Sequence, residues 1–546
     1  MDMTERRPFA ITLDVGSSLA NHTGTWRTQR PVYVHRLPPC SAGCPASEDI
    51  QQWLYHAEEG DYESAWRVIM EKNPLPAVMG RACFHPCETA CNRVRVDEAV
   101  GVNAVERFLG DLAIERNWRI QPGTATGHRV AVVGSGPGGL SAAYHLRRRG
   151  HDVVVFEAQA ELGGMMRYGI PAYRLPRDVV DAEIARLAEM GVRFETHYWV
   201  ANVEDLLRDD FAAVVVAVGA QRGRDPGIPA GDAARILDAV GVLRSLEEGE
   251  PPALGRRVVV YGGGDTAMDA ARTATRLGAT ETIVVYRRTR DVMPAHDEEV
   301  LDAQAEGVQM RWLSTITRTG EGRTVIERMT LDADGHAVGT GEYEEVEADT
   351  VVLALGQESD LSLLDGVEGV DLHHGAVECD ELQRTGNPRV FVVGDASANG
   401  TDSRTLTRAI GQGRLCARAV DGLLEGVVAA PETPLPLAEF DHLTTWYYAD
   451  AERTLRPRLE AARRRDTFSE VVGGLTVDDA LFEARRCMSC GNCFECDNCF
   501  GVCPDNAVIK LGVGEGYAFN YDYCKGCGIC VAECPCGAIE LIPEPR

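Results

Sequence analysis

Two hydrophobic patterns divide the chain. Short unbroken apolar runs at 129–133, 152–156, 212–218, 258–261, 282–286, 350–355 and 390–393 are bounded by Gly, Asp or Arg. Such runs predict strands buried on both faces of a parallel sheet. Two of them open βαβ units, at 129–157 and 256–288, and the order of the runs sets the second unit inside the first. Upstream, the apolar positions fall at helical spacing over 48–59 and 62–71. Residues 1–36 show little periodicity and read as an extended arm. A Gly/Thr-rich stretch at 121–127 is a linker, a Pro-rich stretch at 431–436 marks an exit, and a polar helical connector carrying Arg463-Arg464-Arg465 leads to the tail.

The expected architecture is therefore α/β. It has an arm at 1–36, a helical domain at 37–120, one Rossmann-like domain from 121–224 and 357–425, and a second inserted at 225–356. A linker follows at 426–486 and a small α+β domain at 487–546. A chain of 546 residues is long enough for several cores. No apolar run reaches about 18 residues, so no membrane span is expected. The first residues, Met1 to Arg7, have no apolar stretch behind them and do not read as a secretory signal. A net charge of -28 repels phosphate backbones, so nucleic acid is not an expected partner. These features together predict a cytoplasmic protein.

The first βαβ opening reads Gly134-Ser135-Gly136-Pro137-Gly138-Gly139 between strand and helix, and the next strand ends at Glu157. Glycines there allow a tight turn and close approach of a pyrophosphate to the helix N-terminus, while the acid takes ribose hydroxyls. In the second, Gly262-Gly263-Gly264-Asp265-Thr266-Ala267 fills the turn, and the following strand ends in Arg287-Arg288 rather than an acid. Paired arginines at that position suit a 2′-phosphate, which points to NADP(H) over NAD. A third strand ends in Gly394-Asp395, where a carboxylate can face a hydroxyl chain.

Cysteine placement adds a different chemistry. Of 18 cysteines, five lie between Cys40 and Cys91 and eleven between Cys487 and Cys536, a clustering that signals metal rather than disulfides. Cys493, Cys496, Cys499 and Cys503-Pro504 form C-x2-C-x2-C-x3-C-P, and Cys524, Cys527, Cys530 and Cys534-Pro535 repeat it. That doubled run is the bacterial two-cluster ferredoxin pattern, in which the fourth cysteine of each run serves the other 4Fe–4S cluster. One cluster then takes Cys493, Cys496, Cys499 and Cys534, and the other Cys524, Cys527, Cys530 and Cys503. Zinc is the alternative for a thiolate quartet, but it does not call for this interleaved arrangement.

With these motifs in place, residues from about 38 to 425 resemble the small subunit of bacterial glutamate synthase. They are similar, too, to the N-terminal half of dihydropyrimidine dehydrogenase and to the large subunit of bifurcating ferredoxin:NADP oxidoreductase. The likeness rests on the two glycine loops, Gly163-Gly164, Gly169-Ile170-Pro171, Tyr173-Arg174-Leu175-Pro176, Tyr286-Arg287-Arg288, Met293-Pro294-Ala295 and Gly394-Asp395. It implies FAD on the first fold, held by Gly134, Gly136, Gly139, Glu157, Gly164, Arg174, Gly394 and Asp395. NAD(P)H on the second would use Gly262, Gly264, Asp265, Thr266, Arg287, Arg288 and Gly356. Some relatives of this kind use NAD. The tail resembles the ferredoxin-type delta subunit of 2-oxoacid:acceptor oxidoreductases, and so does the run Gly24-Thr25-Trp26-Arg27-Thr28-Gln29-Arg30-Pro31-Val32 near the other end. Two ends that resemble one small subunit imply its fusion around the flavoprotein.

The glutamate-synthase-like pattern places two clusters in the helical domain, beginning C-x2-C-x4-C-x3-C-P. Here Cys40 and Cys44-Pro45 match its second half and Cys83, Cys87 and Cys91 its later cysteines, but 32–39 holds no cysteine. Glu106 falls where the family places a Glu or Gln ligand. The tail carries a spare pair, Cys487 and Cys490, in a setting (Glu483-Ala484-Arg485-Arg486) that resembles the one around the missing pair. Setting aside Cys379, Cys416 and Cys536 leaves fifteen cysteines, and Glu106 makes sixteen ligands, enough for four clusters. One cluster would then take Cys40, Cys91, Cys487 and Cys490, and its neighbour Cys44, Cys83, Cys87 and Glu106.

The expected function is hydride exchange between NAD(P)H and FAD, with single electrons relayed through 4Fe–4S clusters and no catalytic acid or nucleophile. Expected partners are other subunits of an iron–sulfur oxidoreductase complex, foremost a 2-oxoacid oxidoreductase, or a ferredoxin. A glutamate synthase small subunit and a non-catalytic cluster-bearing scaffold are the alternatives.

Overall fold

A computed structural model describes residues 22–231, 235–399, 404–427, 430 and 433–545. Residues 1–21 of the arm, and Pro431 and Glu432 of the Pro-rich stretch, lie outside the described residues.

The first Rossmann-like sheet is wholly parallel. Its order is Val390–Val392, Ala213–Val216, Arg129–Val133, Asp152–Phe156 and Arg193–Glu195. The apolar runs are continuous because both faces are covered, one by long helices and the other by helix Val203–Arg208 and the segments around Leu361–Val367 and Val377. Helix Pro137–Arg148 leaves the first strand and packs along helix Leu406–Leu424. The inserted sheet is also parallel: Gln309–Arg311, Glu281–Val285, Arg257–Gly262, Thr350–Ala354 and Ile236–Asp238. Where the chain crosses between the folds, Arg222–Gly223 pairs with Gln357–Glu358, so both crossings run side by side. An antiparallel meander of Ser314–Gly320, Arg323–Leu331 and Ala337–Glu347 extends the inserted fold, unforeseen in the apolar pattern because its strands are mostly solvent-facing.

In the helical domain, helices Ile50–Glu58 and Tyr62–Met70 bury Trp53, Leu54, Ala57, Ala65, Trp66 and Ile69, the expected three- and four-residue spacing. Asp61 starts the second helix by accepting from the Ser64 N–H at 3.2 Å.

The linker is a packed strap. Glu470 pairs with Arg81 at 2.8 Å and Arg107 at 2.9 Å in the helical domain, while Arg458 and Arg464 reach Asp302 of the inserted fold at 2.9 and 3.0 Å. Helix Val477–Arg485, closed by a Thr476–Asp479 capping box, then lies against helix Ile50–Glu58. Part of the arm proves regular: strand Gln29–Tyr33 pairs antiparallel with Ile539–Pro543, joining the two ends of the chain in one ribbon. No helix among the described residues is long and apolar enough to cross a membrane.

Candidate functional site

A cavity of about 410 Å³ opens at the carboxyl end of the first parallel sheet, over the first glycine loop. Gly136, Glu157, Gly164, Arg174, Gly394 and Asp395 line it. Glu157 braces the loop as well as facing the cavity: it accepts from the Ser135 N–H at 2.9 Å and hydroxyl at 2.6 Å, and from the Gln159 N–H at 2.9 Å. Only glycine fits at 139, where a Cβ would stand 2.1 Å from the Gly134 carbonyl oxygen, and at 164, whose φ of +53° brings a Cβ within 2.8 Å of Gly136 Cα. At Gly136 a Cβ would meet nothing within 4 Å; that open space lies over the helix N-terminus, where a pyrophosphate sits. Two buried polar atoms among the lining residues, Asp269 Oδ1 and Arg244 Nε, have no hydrogen-bond partner. A dinucleotide with ring and hydroxyl donors and acceptors would satisfy them, so the residues fit FAD. Burial pushes the Asp395 carboxyl up, with Arg404 pulling the other way.

Arg174 lines this cavity as expected and has a second engagement. It touches the cavity, but its guanidinium is held by Asp269 at 2.7 Å and Glu299 at 2.8 Å, both from the inserted fold. Its charge is thereby neutralised by protein carboxylates, and its visible work is to clamp the two folds together. Asp269, which nothing in the motifs singles out, is 3% exposed and shares this clamp.

The second cavity, about 600 Å³, is lined by Gly262, Gly264, Thr266, Arg287, Arg288 and Gly356. Arg287 is exposed and Arg288 half-buried, and among the described residues neither makes an ion pair, so both guanidinium groups are available to an anion. Asp265 is not part of this lining. Its carboxylate accepts from the His296 N–H at 2.9 Å and faces that ring at 3.0 Å, and His296 stacks on Phe84 of the helical domain. Thr266, Gln357 and Arg404 line both cavities and mark where they meet.

The cysteines converge in four groups. Burial pushes the Cys40 thiol up, and the sulfurs of Cys487, Cys91 and Cys490 add to the effect, so the two ends of the chain meet there. Cys44, Cys83, Cys87 and Glu106 border one small cavity with Thr407. Cys493 is pushed up to about 11 by burial, with Cys499, Cys534 and Cys496 adding. Cys530 is pushed up to about 12 by burial, with Cys524, Cys527 and Cys503 among its neighbours.

The groups are strung together. Ala82 and Phe84, on either side of Cys83, line the flavin-type cavity. Three side chains that no motif announced point at ligand-type sulfurs: Thr407 at Cys83 (3.0 Å), Asn92 at Cys490 (3.5 Å) and Tyr33 at Cys499 (3.4 Å). Cys536 is buried with its sulfur 3.8 Å from that of Cys534. Cys379 bonds Ser397, and Cys416 is on the core-facing side of helix Leu406–Leu424.

Three family models match this layout. Residues 128–413 match the pyridine nucleotide-disulphide oxidoreductase family, 17–118 the dihydropyrimidine dehydrogenase domain II 4Fe-4S cluster family, and 517–540 the 4Fe-4S binding domain. The chain is 35% identical to the NADP(+)-dependent formate dehydrogenase subunit beta of Moorella thermoacetica, over 83% of this chain and 70% of that one. Identity to the NADPH-Fe(3+) oxidoreductase subunit beta of Geobacter sulfurreducens is 32%, over 85% and 77%. It is 36% to the glutamate synthase [NADPH] small chain of Azospirillum brasilense, over 59% and 73%. With FAD, NAD(P) and 4Fe–4S clusters as its cofactors, the chain is an oxidoreductase that belongs to the pyridine nucleotide-disulphide oxidoreductase family, in a branch that carries iron–sulfur domains on both sides of the nucleotide folds.

Proposed function

We propose that the chain is the nicotinamide-facing electron-transfer subunit of a larger cytoplasmic iron–sulfur oxidoreductase. The observation that carries this reading is continuity: the NADP-type cavity meets the FAD-type cavity, Cys83 adjoins the latter, and only two residues separate Cys490 from Cys493 in the tail. Arg287 and Arg288 select the 2′-phosphate, and Thr266 and Gln357 border the passage between the cavities. Glu157 holds the adenosine ribose, and the turn over Gly136 takes the pyrophosphate. Four ligand sets follow: Cys44, Cys83, Cys87 and Glu106; Cys40, Cys91, Cys487 and Cys490; Cys493, Cys496, Cys499 and Cys534; and Cys503, Cys524, Cys527 and Cys530. When bound, FAD exchanges an electron pair with NADPH and the 4Fe–4S clusters carry single electrons, while the protein supplies orientation and potential.

The partner we favour is a 2-oxoacid:acceptor oxidoreductase or another ferredoxin-linked enzyme. Two relatives that match over 83% and 85% of this chain carry subunit beta in their names, and the arm pairs with the ferredoxin-type tail as parts of one small subunit would. Affinity capture of the tagged chain from its native host tests this, with thiamine-diphosphate-dependent subunits or another iron–sulfur enzyme as the expected companions. Capture of a glutamate synthase large subunit alone would reject it. That second reading draws on the 36% identity to the small chain, which leaves two fifths of this chain unmatched.

A further inference from the structure

We propose that Tyr33, carried on the N-terminal arm, sets the reduction potential of the tail cluster held by Cys499. The proposal rests on the reading of Cys499 as a cluster ligand.

Tyr33 ends the arm strand and stands opposite Ile539 in the ribbon that joins the two chain ends. Its ring stacks on Phe519, with centroids 4.7 Å apart and planes inclined by 16°. This fixes the phenol, whose oxygen lies 3.4 Å from Cys499 Sγ. A ligand thiolate has no proton, so the O–H is the donor. Apart from Cys536, which neighbours Cys534, no other side chain among the described residues donates to a sulfur of the eight ferredoxin-type cysteines. The arm is held in register by the Arg27–Glu544 pair at 2.6 Å, by the Tyr521 hydroxyl donating to the Pro31 carbonyl at 2.9 Å, and by the Gly24 N–H donating to the Asp522 carbonyl at 2.9 Å. The hydroxyl is therefore held in place before any electron arrives.

A donor aimed at a ligand sulfur stabilises the more negative, reduced state, and so raises the potential. The tail's own sequence does not supply this group; the opposite end of the chain does.

The test is an EPR-monitored redox titration of the full-length, cofactor-loaded protein. Y33F keeps the stacked ring and removes the donor. One cluster midpoint should move to more negative potential, the others should stay, and iron per flavin should equal wild type. A 3-fluorotyrosine at position 33, a more acidic phenol, should move the same midpoint the other way. Unmoved midpoints with iron retained would overturn the proposal. Loss of iron in Y33F would overturn it too, since the hydroxyl would then serve cluster retention. C499S separates the premise: if it leaves iron content and every signal unchanged, the ligand reading fails, whereas an altered cluster in C499S beside an unaltered Y33F removes Tyr33 alone.

Discussion

Thr407 donates its hydroxyl to Cys83 Sγ at 3.0 Å, across the boundary between the flavin-type fold and the helical domain. Thr407 is the second residue of helix Leu406–Leu424, and the neighbouring Thr405 and Leu406 line the flavin-type cavity. One buried side chain thus touches the surroundings of both redox sites.

Removing that donor with Thr407→Val should lower the midpoint of the flavin-side cluster. Losing about 1.4 kcal/mol of preferential stabilisation corresponds to ~59 mV for a one-electron couple. A redox titration followed by EPR measures it, and an unchanged midpoint would show that Thr407 is not sensed by a cluster.

Cofactor choice should depend on Arg287 and Arg288. Each charge-assisted contact to a phosphate is worth about 1.5–3 kcal/mol. Replacing both with Ala should therefore raise the Michaelis constant for NADPH by roughly 100-fold or more while changing that for NADH little. Steady-state dye reduction with the two nucleotides decides it. Equal effects on both, or a wild-type preference for NADH, would remove the assignment.

Cys487 and Cys490 should hold iron together with Cys40 and Cys91. The double variant C487S/C490S is expected to lose about four of sixteen irons, one cluster's worth, with flavin as the internal standard. Full iron content in that variant would show that the pair is spare.

Acid should weaken the seam between the helical domain and the first nucleotide fold through His145. The ring is 2% exposed, and its Nε2 donates to the Lys72 carbonyl at 3.3 Å. Burial first, then the charge of Arg149, pushes its pKa well below the ordinary 6.5. The folded protein keeps this ring neutral while the unfolded chain protonates it below about 6.5, so its contribution is present above that pH and lost as the pH falls through it. The loss approaches about 1.4 kcal/mol per pH unit. H145Q keeps a donor and cannot titrate, so its thermal stability should decline less between pH 7 and pH 5.5 than that of wild type. Parallel declines would clear His145.

Both nucleotide folds were legible because their strands are unbroken Val-rich runs and their turns carry glycine at fixed offsets; 129–133 and 152–156 are strands over the predicted residues. The ferredoxin-type spacing was legible for a similar reason, since ligand chemistry fixes residue type and interval. The clamp on Arg174 was not, because the acids that hold it, Asp269 and Glu299, lie about a hundred residues away on another fold and leave no local mark. Tyr33 and Thr407 were hidden in the same way: a hydroxyl becomes a donor to sulfur only when tertiary structure brings the sulfur to it. Glu106 has no signal of its own either. It is one acid on a helix, made conspicuous only by its burial beside Glu48 and Asn73, whose amide donates to it at 2.8 Å.

The meeting of Cys40 and Cys91 with Cys487 and Cys490 also sets an order of events during synthesis. Cys487 follows Cys91 by 396 positions (487 minus 91). At about 5–20 residues per second, the ribosome needs roughly 20–80 s to cover that distance. In the proposed ligand set, Cys40 and Cys91 lack half their partners throughout that interval, even after the domain around them has been made. A message cut short after the nucleotide folds but before Cys487 yields a product with both nucleotide folds and no means to complete the link to the tail. Under the proposed ligand set, the junction forms only in a chain translated through Cys490, which makes it a check on how far translation has gone.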